Sequence, residues 1–138
     1  MQIDTEIENI IKTDYQKNHQ GRNYSVDAVL DIFDNIEQTK YSTRRYGKVI
    51  VVYKPFNATT VEFHCTNGGN SKDIIEAVNQ FNKEMVDSYI WSVTFYDNPK
   101  INELLKHSFC PSDFTKIDKG VDKTYMAKFS LRGISWDL

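Results

Sequence analysis

The sequence predicts an α+β, α/β/α-like domain: a mixed central sheet of about five or six strands flanked by helices, with two helices at the N-terminus. Three observations carry that expectation. Two amphipathic stripes precede residue 40; Val61 to Met85 reads as a strand, a glycine turn and a periodic helix; and YIWSVTFY (89–96) follows as another strand. A helix between successive strands implies parallel pairing, since a tight turn returns the chain antiparallel. The strand at 59–66 is therefore expected beside the strand at 89–96, with the helix at 71–86 covering one face.

A chain of 138 residues is long enough for one domain, 1–138, with a core that needs no disulfide or metal staple. Hydrophobic residues at 40%, charged residues at 26% and a formal net charge of -2 describe a globular chain and not a disordered one. No apolar run reaches bilayer length, and MQIDTEIENI is acidic where a signal peptide is basic, so a cytoplasmic protein without a membrane partner is expected. Cys65 and Cys110 form no disulfide framework, and three histidines show no metal-ligand spacing.

Residues 3–17 carry Ile3, Ile7, Ile10, Ile11 and Tyr15 at helical spacing, with Glu6, Glu8 and Asp14 expected outside. Ser25 is the expected N-cap of a second helix that turns Val26, Val29, Leu30, Phe33 and Ile36 inward and Asp27, Asp31, Asp34 and Glu37 outward. Between Lys40 and Lys54 the charge reverses: Lys40, Arg44, Arg45, Lys48 and Lys54 alternate with tyrosines and no acid intervenes. A phosphate-tracking surface needs more cations than this, so Arg44 and Arg45 are expected to meet an acidic partner or a ligand phosphate, and no nucleic acid is expected. KVIVVY (48–53) is a β-branched strand, and Pro55 to Ala58 turns the chain so that TVEFHCT pairs with it as a hairpin. Asn98 and Pro99 open another helix carrying Ile101, Leu104 and Leu105 inward, and DFTKID (113–118) with KTYMAKFSL (123–131) form a closing antiparallel hairpin.

The chemistry-bearing stretch is Val61 to Met85. Val61, Phe63 and Cys65 alternate with Glu62, His64 and Thr66, one set to each face. In the helix Ile74, Ile75, Val78, Phe81 and Met85 face inward, with Glu76, Asn79, Gln80 and Lys83 opposite. Between strand and helix, Gly68 and Gly69 admit backbone angles that other residues resist, and Asn70 or Ser71 can cap the helix. Such a loop is either a connection and nothing more or an anion cradle, where amides and the positive end of the helix dipole converge. It is not a P-loop, lacking G-K-[ST], and not a dinucleotide fingerprint, lacking the third glycine.

This order resembles the GNAT superfamily of acyl-CoA-dependent N-acyltransferases over roughly residues 45–132. Thr66-Asn67-Gly68-Gly69-Asn70-Ser71 stands where that family carries Q/R-x-x-G-x-G/A, whose amides hold the pyrophosphate of CoA; Thr66 replaces the basic or amide residue and Ser71 the last small one. VTFYDNPKINELLKHSF (93–109) is similar to the family's strand followed by N-x-x-A-x-x-x-Y-x-x-x-G-F: Asn98 matches, while Leu105 stands at the tyrosine that often serves as general acid. The resemblance implies acetyl-CoA as substrate, its pyrophosphate on the amides of residues 67–72 and its pantetheine in a splay between the two parallel strands. It also extends to small GNAT-like proteins of bacteriophages, some associated with virions, which implies a binding or structural role in an assembly.

An amine that attacks a thioester must lose a proton, so a base near the cleft is useful. Glu62 and His64 share one strand face; the resemblance makes Glu62 the first candidate base, and His64 is equally a hydrogen-bonded core histidine. Tyr96 is a candidate replacement for the absent tyrosine, or a rim aromatic. A hydrolase reading of His64 and Cys65 as base and nucleophile is poorer, because adjacent strand residues point to opposite faces. Two functions follow: an acetyl-CoA-dependent N-acyltransferase acting on an amine or protein acceptor, or a catalytically inactive GNAT-like component of an assembly.

Overall fold

The structure is a computed structural model, and it describes residues 1–18, 23–96, 114–118 and 125–131. Helix α1 spans Thr5–Asn18. Asp4 caps it, its carboxylate accepting the Ile7 N–H at 2.8 Å. Its buried face holds Ile10 and Ile11 and also Asp14, which corrects the expectation that this acid lies outside. Helix α2, Val26–Asp34, starts as expected, with the Ala28 N–H donated to the Ser25 hydroxyl at 3.2 Å. A 3-10 turn at Ile36–Gln38 then buries Ile36.

The basic segment contains a strand that the sequence did not suggest, β1 at Ser42–Tyr46, joined to β2 at Val49–Pro55 through Gly47. Gly47 has φ 59, the left-handed region where a side chain is strained. Arg45 donates to Glu6 at 3.1 Å and to the Gly47 carbonyl at 2.9 Å, so an acidic group for it lies within the chain. After a tight turn, in which the Phe56 N–H meets the Thr60 carbonyl at 2.9 Å, β3 runs Thr60–Asn67 beside β2.

Helix α3, Ser71–Met85, crosses to β4, Trp91–Tyr96, which pairs with β3 in parallel as expected. The closing hairpin is also found: β5, Phe114–Asp118, and β6, Tyr125–Ser130, are antiparallel, and β6 lies antiparallel to β4. The sheet has six strands in the order β1-β2-β3-β4-β6-β5 and is mixed, its parallel join being β3 with β4. The helix expected from Asn98 lies outside the described residues.

Two compact units account for the contacts. The first holds Met1–Val52 and Cys65–Ala77; its core is Ile10, Ile11, Phe33, Ile36, Ile50 and Val52, with Ile7, Val29 and Leu30 packed against it. The second holds Tyr53–His64 and Val78–Leu138, and its centre is aromatic: Phe63 packs on Phe81 and Phe129 at centroid distances of 5.3 and 6.1 Å. Asn79, expected outside, is buried here, and so is Asn82, whose Oδ1 accepts from the Ser92 hydroxyl at 2.8 Å. Both lie on the stripe that begins at Ile75, three and four residues apart, beside the inward face. Among the described residues no helix is long and apolar enough to cross a membrane.

Candidate active site

In the first unit, the loop between β3 and α3 is built largely from its own polar groups. Asn70 is the N-cap: its Oδ1 accepts the Asp73 N–H at 3.1 Å, while Asp73 Oδ2 accepts the Asn70 N–H at 2.8 Å. This reciprocal pair is a capping box, and the carboxylate sits where the helix dipole favours negative charge. Asn67 braces the turn, accepting from the Gly69 N–H at 2.9 Å and donating to the Asn70 carbonyl at 3.1 Å. The glycines serve clearance and not angle. Neither Gly68 nor Gly69 has positive φ; a Cβ on Gly68 would stand 2.8 Å from the Ile10 Cα, and one on Gly69 would run into the Asp73 carboxylate.

Helix α1 reaches the same loop. The Asn67 N–H donates to Asp14 Oδ1 at 3.0 Å, Asn18 donates to that oxygen at 2.9 Å, and the Lys17 ammonium donates to the Gly69 carbonyl at 2.7 Å. The Gly68 N–H is taken by the Lys48 carbonyl at 2.8 Å. Protein groups thus hold the amides of Asn67, Gly68, Gly69 and Asn70, and an anion at this loop would address Ser71 and Lys72, the first turn of α3.

In the second unit, β3 presents the other constellation. His64 Nε2 lies 2.9 Å from Glu62 Oε2, two residues apart on one strand face. The Glu62 side chain is 10% exposed and that of His64 41%, so the carboxylate is enclosed and the imidazole is the accessible member. The registered parallel pairs are Thr60 with Trp91, Val61 with Ser92 and Glu62 with Val93, and they stop at Glu62 although both strands continue. On the Glu62 face the row runs on through Val93 to Lys128, whose ammonium lies 4.5 Å from the centroid of the Trp91 ring.

Sequence reasoning thus placed Glu62 and His64 together, and it placed Thr66, Asn67, Gly68, Gly69, Asn70 and Ser71 in one strand end and turn. Tyr96 ends β4 opposite Tyr125, in register step with Ser92 and not with Val93, the partner of Glu62. Asn98 lies outside the described residues. Asp14, Lys17 and Asp73 were missed. Asp73 had a signal, since Asn70-x-x-Asp73 has the spacing of a capping box; Asp14 had one too, falling three residues after Ile11 on the apolar stripe. Among the described residues no His, Cys, Asp and Glu cluster could hold a metal.

No family model and no curated protein matches the sequence. Solved structures do match. The N-acetyltransferase PseH of Campylobacter jejuni, in complex with acetyl coenzyme A, superposes with a TM-score of 0.60 at 11% identity, covering 94% of this chain and 93% of that one. A domain from Methanocaldococcus jannaschii gives 0.60 at 13% identity, covering 94% and 96%. A second structure of PseH gives 0.58 at 15%, covering 94% and 92%. The likeness is one of fold: a divergent GNAT-like α+β architecture.

Proposed function

We propose that this chain is an acetyl-CoA-dependent N-acyltransferase acting on an amine, carried by a small molecule or a protein. The observation that carries the reading is the Glu62–His64 pair, set where the registered β3–β4 pairing ends. Beyond that point an extended amide-bearing chain such as pantetheine can lie along strand backbone. Acetyl-CoA is a substrate here, supplying the activated acyl group. Taken by itself, the first turn of α3 in the first unit offers an anion the amides of Ser71 and Lys72, in place of a fully open loop. The chain's own contributions are then to hold the thioester substrate in extended form and to take a proton from the acceptor nitrogen.

A second reading, a GNAT-like domain that binds without catalysing, draws on one observation: the amides of Asn67 to Asn70 are already bonded within the protein. One experiment separates the two. Release of free CoA thiol is followed with acetyl-CoA and a panel of amines and peptides, alongside thermal melting with and without acetyl-CoA. Acyl transfer predicts amine-dependent thiol release and, at a hundredfold excess over Kd, stabilisation of about 2.7 kcal/mol. Stabilisation without turnover supports the binding domain, and the absence of both counts against acetyl-CoA as a ligand.

A further inference from the structure

We propose that this protein recognises its acyl donor as a pantetheine thioester and not as a nucleotide, so that the acetyl thioester of pantetheine alone serves nearly as well as acetyl-CoA. The inference rests on the acyl-transfer reading and names the donor class for it. Its basis is where the amide hydrogens of the loop between β3 and α3 go. The Asn67 N–H donates to Asp14 Oδ1 at 3.0 Å, that of Gly68 to the Lys48 carbonyl at 2.8 Å, that of Gly69 to Asn67 Oδ1 at 2.9 Å and that of Asn70 to Asp73 Oδ2 at 2.8 Å. The acceptors come from α1, from the turn between β1 and β2, from the loop itself and from α3. A pyrophosphate entering there must break these bonds before making its own, and the exchange gains little, since each amide already holds an oxygen acceptor.

Charge acts in the same direction. Asp14 and Asp73 are carboxylates bonded to the very amides a pyrophosphate would use, and Asp14 is only 8% exposed, where like charges repel more strongly than in water. The Asp73 carboxylate also fills the space beside Gly69, so that even a methyl group there would collide with it. The Lys17 ammonium, bonded to the Gly69 carbonyl at 2.7 Å, sets one positive charge against those two. What is left for an anion is at most the amides of Ser71 and Lys72. The transfer itself does not need the nucleotide. The amine nitrogen attacks the thioester carbon, the C–N bond forms, the C–S bond breaks, and the proton shed by the nitrogen ends on the departing thiolate. Amine plus thioester gives amide plus thiol, whether the sulfur belongs to CoA or to pantetheine. A nucleotide remote from the carbonyl contributes through binding energy alone, and this loop supplies little of it.

The test uses the full chain with acetyl-CoA and S-acetylpantetheine as donors, one amine acceptor, and thiol release as the readout. The two kcat/KM values are expected to agree within about tenfold, the scale of one net hydrogen bond. Asp73→Ala, checked for its melting temperature, should shift the ratio toward acetyl-CoA, because it releases the Asn70 N–H and the space beside Gly69 and removes a negative charge. Asp73→Asn, which removes the charge and keeps a capping oxygen, should shift it less. A readout independent of turnover is amide NMR with inorganic pyrophosphate: in the wild type the amides of Asn67, Gly68, Gly69 and Asn70 should exchange slowly with solvent and keep their shifts, while in Asp73→Ala the Asn70 amide should move. A wild-type preference for acetyl-CoA far beyond tenfold, large pyrophosphate-induced shifts at those four amides, or a ratio that Asp73→Ala leaves unchanged overturns the donor assignment while leaving acyl transfer intact. No turnover of either donor with any amine overturns the acyl-transfer reading and this assignment with it.

Discussion

Among the described residues, Cys65 is a titrating group whose pKa is shifted far from its ordinary value. Protein packed around the sulfur, and secondarily the charge of Asp14, push its pKa from 9.0 up to about 12. The raised pKa favours the neutral thiol, the less nucleophilic form, in the folded state. In a Cys110→Ser background, native protein at pH 8 should resist a thiol reagent and react fully once unfolded; fast native labelling would contradict this. The stability consequence has a definite sign. Below pH 9 the thiol is protonated in both states; between 9 and about 12 only the unfolded chain releases the proton, so wild-type stability falls with rising pH relative to Cys65→Ala. What the sequence conceals at this scale is polar residues on inward faces. Asp14, Asn79 and Asn82 read as solvent-side or neutral by type, yet they are buried because the helical period sets them beside Ile11 and Ile75. The partners of Asp14 and Asn82, the Asn67 N–H and the Ser92 hydroxyl, are far along the chain or across an element, where periodicity gives no sign of them.

At the scale of elements, the long periodic segments were legible and the charged edge strand was not. Helix α3 and strands β3 and β4 follow from clear periods of 3.6 and 2, and strand β2 from its continuous β-branched run. Strand β1 looked like a surface patch because its side chains include two arginines; edge strands commonly carry such charges, which discourage pairing with another chain. The loop before α3 was located correctly, but the state of its amides was not readable, since the groups that bind them come from α1, from β2's approach and from the capping box. That box gives a direct prediction. Asn70→Ala should destabilise the protein by about 1 kcal/mol in denaturant unfolding, whereas Asn70→Ser, which keeps a capping oxygen, should recover most of the loss. Equal losses in both variants would show that Asn70 acts through its bond with Asn67 and not as a cap.

For the whole molecule, topology was legible because connection rules leave few choices: a helix between β3 and β4 dictates the parallel join, and the short turn after Pro55 dictates the hairpin. The division into two compact units was not, because each draws on segments far apart in sequence. The candidate site was half legible, Glu62 and His64 from strand alternation and their unequal access only from the folded chain. The parallel join also bears on how the protein reaches its native state. Its three pairs join residues about thirty apart, and Val93 sits among them, 1% exposed, with Lys128 as its other neighbour. Local hairpins can close early, whereas this seam must wait until α3 has brought β4 back, so its contacts belong to the downhill side of the folding barrier. Val93→Ala should then accelerate unfolding in stopped-flow experiments while hardly changing the refolding rate, and a slowed refolding limb would place the seam in the transition state instead. Where it forms late, the seam acts as a kinetic lock: the residues that bound the proposed chemistry would also set how long the folded state endures.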